Sequence, residues 1–136
     1  DLEALAGTFE QRLTELVESA QREAHVVAVA TFSPKVRRDQ TPEVQLANCT
    51  TSLFYMPYMT VERLLDGFDA YNAAIRRVAD RTGAILVETV GEIPGDGAHY
   101  NDSVHFLDPG SRVMASVVAG ALATSKPFGE LVSSSR

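Results

Sequence analysis

At 136 residues, with 45% hydrophobic and 22% charged residues, the chain is long enough to bury one sizeable core and too short for two. The net charge of −6 argues against a nucleic-acid backbone as the main partner, because phosphate binding needs clustered cations. The one basic cluster, Lys35, Arg37 and Arg38, is expected to be solvated surface. A single cysteine, Cys49, excludes an internal disulfide and declares no redox compartment. No apolar run approaches the roughly 18 residues that span a membrane, and the start "DLEALAG" has neither a signal-peptide pattern nor an initiator methionine. The chain is therefore expected to be a processed or truncated piece, and its localisation stays open.

Thr8 to Gln11 reads T-F-E-Q, a capping-box pattern. Phe9, Leu13, Leu16, Val17 and Ala20 then recur at helical spacing, which predicts a helix from about Thr8 to Glu23. "HVVAVATF" follows as a continuous apolar, β-branched run, suited to a strand buried on both faces. Residues 33–60, with Pro34, Pro42 and Pro57, are expected to be irregular. Connections beyond about 12–15 residues are often lids or binding loops. Within them "SLFYMPYM" predicts either an acyl-binding wall or a satellite cluster that pins the loop to the body. Cys49 has no basic neighbour in sequence and is expected to be a small loop or core residue.

A second helix is predicted from a Thr60 cap to a Gly83 stop, with Val61, Leu64, Leu65, Phe68, Tyr71, Ile75 and Val78 as its apolar stripe. Tyr71 and Asn72 are expected to be structural, at its buried edge. "AILVETV" is the second strand, and "GEIPGDGAHYND" a glycine-rich loop whose Gly95–Gly97 stretch predicts a turn. Asp108 is the expected N-cap of a last helix, with Pro109 at its first position. That helix turns Val113, Met114, Val117, Val118, Ala121 and Leu122 inward. Residues 1–123 are thus one domain, and 124–136 a frayed tail.

The order helix, strand, helix, strand, helix implies an α/β fold of βα units with a parallel sheet. A doubly wound sheet has about five strands, and only two are visible. The chain is expected to be the C-terminal half of such a fold, completed by another polypeptide segment in cis or in trans.

Ligands of open α/β sheets bind at the carboxyl ends of the strands, and the loop leaving the second strand carries "YNDSVHFLDPG". In it Asp102 precedes His105 by three residues. A carboxylate at that spacing folds back to accept from the imidazole Nδ1–H, which fixes the tautomer and leaves Nε2 to take a nucleophile's proton. The same spacing also suits an aspartate that merely caps a local turn beside an ordinary loop histidine. His25, His99 and His105, with Asp96, Asp102 and Asp108, match no metal-ligand pattern. No metal and no cofactor is expected.

"NDSVHFLDPGSRVMASVVAGAL" resembles the last block of the SGNH, or GDSL-type, hydrolases, in which D-x-x-H leads into an apolar helix. "YNAAIRRVADRTGAILVETVGEIP" and the strand "VVAVATFSP" are similar to the elements preceding that block. The resemblance covers roughly residues 8 to 123. It implies a three-layer α/β/α, flavodoxin-like hydrolase acting on a small ester, whether lipid, acetylated sugar or carboxylic ester. Asp102 would orient His105, and His105 would be the general base. The family's nucleophilic serine lies in a Gly-Asp-Ser block, and neither that block nor a G-x-S-x-G elbow occurs here. On the resemblance, Asp1-Leu2 ends a Gly-x-Asn-Asp block, and the serine and oxyanion donors lie upstream of residue 1. Two alternatives stand beside it: a non-catalytic binding or structural domain on the hydrolase scaffold, and a coenzyme-binding flavodoxin-like domain, which lacks a phosphate loop.

Overall fold

The Asp1 carboxylate accepts from Glu3 N–H at 3.0 Å and caps α1 (Leu2–Glu23) in a computed structural model that describes residues 1–134. The helix thus begins six residues before the predicted Thr8 start. Thr8 lies inside it, its hydroxyl bonded back to the Ala4 carbonyl at 3.0 Å. Two capping residues compete here, and the upstream one adds almost two helical turns.

α1 leads to β1 (Ala28–Ala30), and β1 pairs in parallel with β2 (Ile85–Val87), Val29 opposite Leu86. β1 is the centre of its predicted run and β2 the first half of its own; neither is buried on both faces, since Ala28, Ala30 and Leu86 are exposed on a sheet of only two strands. Between them lie α2 (Pro42–Asn48), α3 (Thr50–Tyr55) and α4 (Val61–Thr82). Residues 33–60 are therefore not irregular throughout. Thr41 caps α2 through Val44 N–H, with Pro42 in the first turn where its missing N–H costs nothing. α4 has both predicted ends: Thr60 accepts from Arg63 N–H at 3.2 Å, and Gly83 closes the helix in the left-handed region at φ 72°.

α1 and α4 pack along each other. Val17, Val78 and Ala84 form one core cluster, joined by Leu13, Val27 and Val29, so both helices cover the same face of β1. The Phe9 and Tyr71 rings meet at a tilt with centroids 4.6 Å apart, and Glu10 receives Arg77 and Arg81 at 2.7 and 3.1 Å. A second cluster of Val36, Cys49, Leu64 and Leu65 holds α2 and α3 to α4. Cys49 is fully buried, as a core residue should be, and burial pushes its thiol pKa up.

α5 (Asp108–Thr124) packs on β2. Its cap is Leu107, whose carbonyl accepts from Ser111 N–H at 2.9 Å, and not the predicted Asp108. The Asp108 carboxylate instead sits in the first turn, where it complements the helix dipole. Of the six residues predicted to turn inward on α5, Val113, Met114, Val117, Val118, Ala121 and Leu122, all are half-buried. α6 (Lys126–Ser134) replaces the expected frayed tail; the last two residues of that tail, 135 and 136, lie outside the described residues. The result is mixed α/β and mostly helical, around a small parallel sheet of two strands. No helix of the described residues is long and apolar enough to cross a membrane.

Candidate active site

Past β2 the chain is first tied to the end of β1. Thr89 N–H donates to Thr31 Oγ1 at 2.8 Å, Thr89 Oγ1 donates to the Thr31 carbonyl, and Thr31 Oγ1 donates to Glu88 at 2.7 Å. Arg76 of α4 grips Glu88 through Nε and Nη2 at 2.7 and 2.8 Å, which lowers the Glu88 pKa. These bonds lock the carboxyl ends of both strands together.

The loop then turns at Gly91, φ 88°, buries Ile93 completely and closes a small hairpin. Tyr100 and Phe106 face each other across an antiparallel bridge. Asn101 N–H donates to the His105 carbonyl, and Leu107 N–H to the His99 carbonyl, each at 2.9 Å. Three long-range bonds seat this hairpin. Tyr100, only 1% exposed, donates its hydroxyl to the Ser33 carbonyl at 2.7 Å. At the tip, Ser103 accepts from Lys35 N–H on its carbonyl at 3.1 Å and from Ser52 N–H on its hydroxyl at 3.3 Å.

Asp102 and His105 are brought together on that tip. Asp102 Oδ1 accepts from Val104 and His105 N–H, each at 2.9 Å, while Oδ2 lies 2.7 Å from His105 Nδ1. The aspartate therefore does both things its spacing allows, capping the turn with one oxygen and orienting the imidazole with the other. The His105 N–H, then the Val104 N–H and the imidazole, hold the Asp102 pKa down to about 2. With Nδ1 as donor to this carboxylate, Nε2 is the acceptor nitrogen. The His105 side chain is 76% exposed, so that nitrogen faces outward.

No nucleophile is brought there among the described residues. Among the described residues no hydroxyl or thiol is hydrogen-bonded to His105 Nε2; the bond of its ring is the one to Asp102. Ser103 is buried and turned to Ser52, and Ser33 is buried beside Tyr100. Among the described residues no three His, Cys, Asp or Glu side chains converge as a metal site.

One feature of the loop escaped the sequence. Asp96 and His99 repeat the same D-x-x-H turn six residues earlier. Asp96 Oδ1 accepts from Ala98 and His99 N–H at 3.0 and 3.1 Å and lies 2.7 Å from His99 Nδ1, which lowers its pKa. The Gly95–Gly97 turn is present as predicted, and identical Asp-to-His spacing was the available signal. The two imidazoles differ in setting: the His99 side chain is 22% exposed against 76% for His105.

The basic cluster is not all solvated surface. Arg37 is half-buried rather than free surface, lying against Gly91 and Gly95, with Nε and Nη2 shielded and unpartnered; Arg38 pairs with Asp66 and Asp69. The "SLFYMPYM" stretch pins the loop to the body through Leu53 on the core cluster and the Ser52 N–H on Ser103, as one of its two expected roles. Phe54, Tyr55 and Tyr58 point outward, 76%, 76% and 99% exposed. Tyr55 and Tyr58 border an open apolar groove of about 920 Å³ between the first half of α1, α4 and residues 55–59. No family model, no curated protein and no solved structure matches the chain.

Proposed function

We propose that this chain carries the base half of an ester hydrolase site of the SGNH, or GDSL, type, whose serine and oxyanion donors lie on polypeptide upstream of residue 1. The observation that carries the proposal is the Asp102–His105 pair: an imidazole held at Nδ1 by a low-pKa carboxylate, on the loop leaving the carboxyl end of β2. That is the location an open α/β sheet uses for ligands. On this reading the two strands and their helices belong to a three-layer α/β/α domain.

The chemistry follows from the tautomer. A serine Oγ attacks the ester carbonyl carbon as its proton passes to His105 Nε2, and Asp102 stabilises the imidazolium. The same proton then goes to the alcohol oxygen as the C–O bond breaks. Water repeats the sequence on the acyl-enzyme and returns the serine. Without the nucleophile and the oxyanion donors, the isolated 136-residue chain hydrolyses esters no faster than background.

A second reading, a binding or structural domain on the same scaffold, draws on one observation: His105 is exposed with no hydroxyl on Nε2 among the described residues. Fluorophosphonate labelling of the complete natural protein, read by intact mass, separates the two. One adduct that disappears in His105→Ala supports the hydrolase. No adduct on any polypeptide leaves the binding domain. A lone 136-residue chain that turns over an aryl ester through His105 contradicts the split site.

A further inference from the structure

The outer edge of β1 is a half-made sheet. Val27 accepts from Ile85 N–H at 2.9 Å and Thr31 N–H donates to Val87 at 3.0 Å, so residues 27, 29 and 31 turn their backbone groups toward β2. By the alternation of a strand, Ala28 and Ala30 turn theirs the other way, and both residues are exposed. The next outward residue, Phe32, is already served: Asn72 accepts from its N–H at 2.7 Å and donates to its carbonyl at 2.9 Å. Phe32 also marks where the apolar groove begins. Leu5 and Phe9 of α1 and Phe68 and Ile75 of α4 line its walls, the helix faces that a wider sheet would cover.

Topology says what fits. The β1–α4–β2 unit is a parallel crossover, and α1 lies on the same face of β1 as α4. Parallel crossovers share one hand in nearly all proteins. A strand leading into α1 therefore falls on the side of β1 away from β2, parallel to it, under the first half of α1. We infer that the outer edge of β1 is the pairing site for a short parallel strand from the polypeptide leading into α1. That strand bonds to Ala28 and Ala30, ends where Asn72 caps Phe32, and lays apolar side chains into the groove. Val27 and Val29 pack toward α1 and α4, so Ala28 and Ala30 both lie on the opposite face, where their small side chains leave room for close approach. This pairing rests on the same upstream polypeptide as the proposed hydrolase but on none of its chemistry, so where that polypeptide is present the two fail separately.

Amide hydrogen exchange by NMR tests it, on the 136-residue chain and on the natural polypeptide with the residues preceding Asp1. In the 136-residue chain, Val29 and Thr31 should be protected while Ala28 and Ala30 exchange freely. In the longer polypeptide those two amides should slow by roughly 100-fold or more. Ala30→Pro takes away an outward N–H that the upstream strand would use, so it should lower the unfolding midpoint of the longer polypeptide more than that of the 136-residue chain. His105→Ala should leave every one of these rates unchanged even where it abolishes fluorophosphonate labelling. Free exchange at Ala28 and Ala30 in the longer polypeptide overturns the inference, as does a natural protein with nothing ahead of Asp1. Protection that grows with the concentration of the 136-residue chain also overturns it, and assigns the edge to a second copy.

Discussion

The Asn72 carboxamide stands in for a strand. It sits on α4, 3% exposed, and takes both backbone groups of Phe32 at 2.7 and 2.9 Å, ending the outward hydrogen-bonding edge of β1. A side-chain amide is the one short group that offers an acceptor and a donor at this spacing. Asn72→Ala should cost about 1–3 kcal/mol, the penalty of leaving such groups unmade. Asn72→Asp should destabilise as well, since a carboxylate cannot donate to the Phe32 carbonyl. Urea unfolding midpoints check this, and an Asn72→Ala midpoint equal to that of the parent contradicts it.

Gly110 should tolerate no side chain. A Cβ there meets the His99 carbonyl oxygen well inside van der Waals contact, and comes 3.2 Å from the Phe106 ring. Both neighbours belong to the hairpin that seats His105, and backbone cannot swing aside. Gly110→Ala should destabilise by about 1–3 kcal/mol, as overpacking does, and shift the NMR resonances of His99 and Phe106. Parental stability with unmoved resonances in the variant would count against the close approach of α5 to the hairpin.

Asp102 should stay ionised to a lower pH than an ordinary aspartate. Its native pKa of about 2 lies below the ordinary 3.8, so the fold holds the charged form. The stabilisation it contributes is complete above about pH 4 and is lost as the pH falls from there through about 2. A carbon-13 titration of its carboxyl group should have its midpoint near 2. A midpoint at the ordinary value would mean that the Val104 and His105 amides do not hold it in solution.

On the proposed hydrolase reading, Asp102→Asn in the natural protein should keep the turn yet lose catalysis. An asparagine oxygen still accepts from the Val104 and His105 amides, but it no longer stabilises a charged imidazole. The loss expected for the orienting aspartate of such a triad is roughly 10⁴-fold in kcat. Full turnover in Asp102→Asn or in His105→Ala removes both residues from the mechanism.

Where the sequence was legible, the signals were local. Thr60 and Gly83 bound α4 because a cap hydroxyl and a left-handed residue act within one turn. Asp102 finds His105 for the same reason, since three residues of turn suffice to join them. The misses at α1 and α2 were contests between local signals. Asp1 outcompeted Thr8, and Pro42 reads equally as loop or as first turn until Thr41 is seen to cap it. Residues 126–134, expected as part of a frayed tail, form a helix.

Spacing along the chain suffices for an α/β order with two parallel strands, one long capped helix between them, and an aspartate three residues before a histidine. How that histidine is mounted depends on packing between distant segments. Tyr100 reaches Ser33 across 67 positions, and Ser103 reaches Ser52 across 51. Packing alone also decides which edge of β1 is open, through Asn72 and Phe32, 40 positions apart. Such partners are chosen when helices and strands pack, because a lone serine or asparagine carries the same donors and acceptors wherever it sits; burial alone makes one pairing more favourable than water.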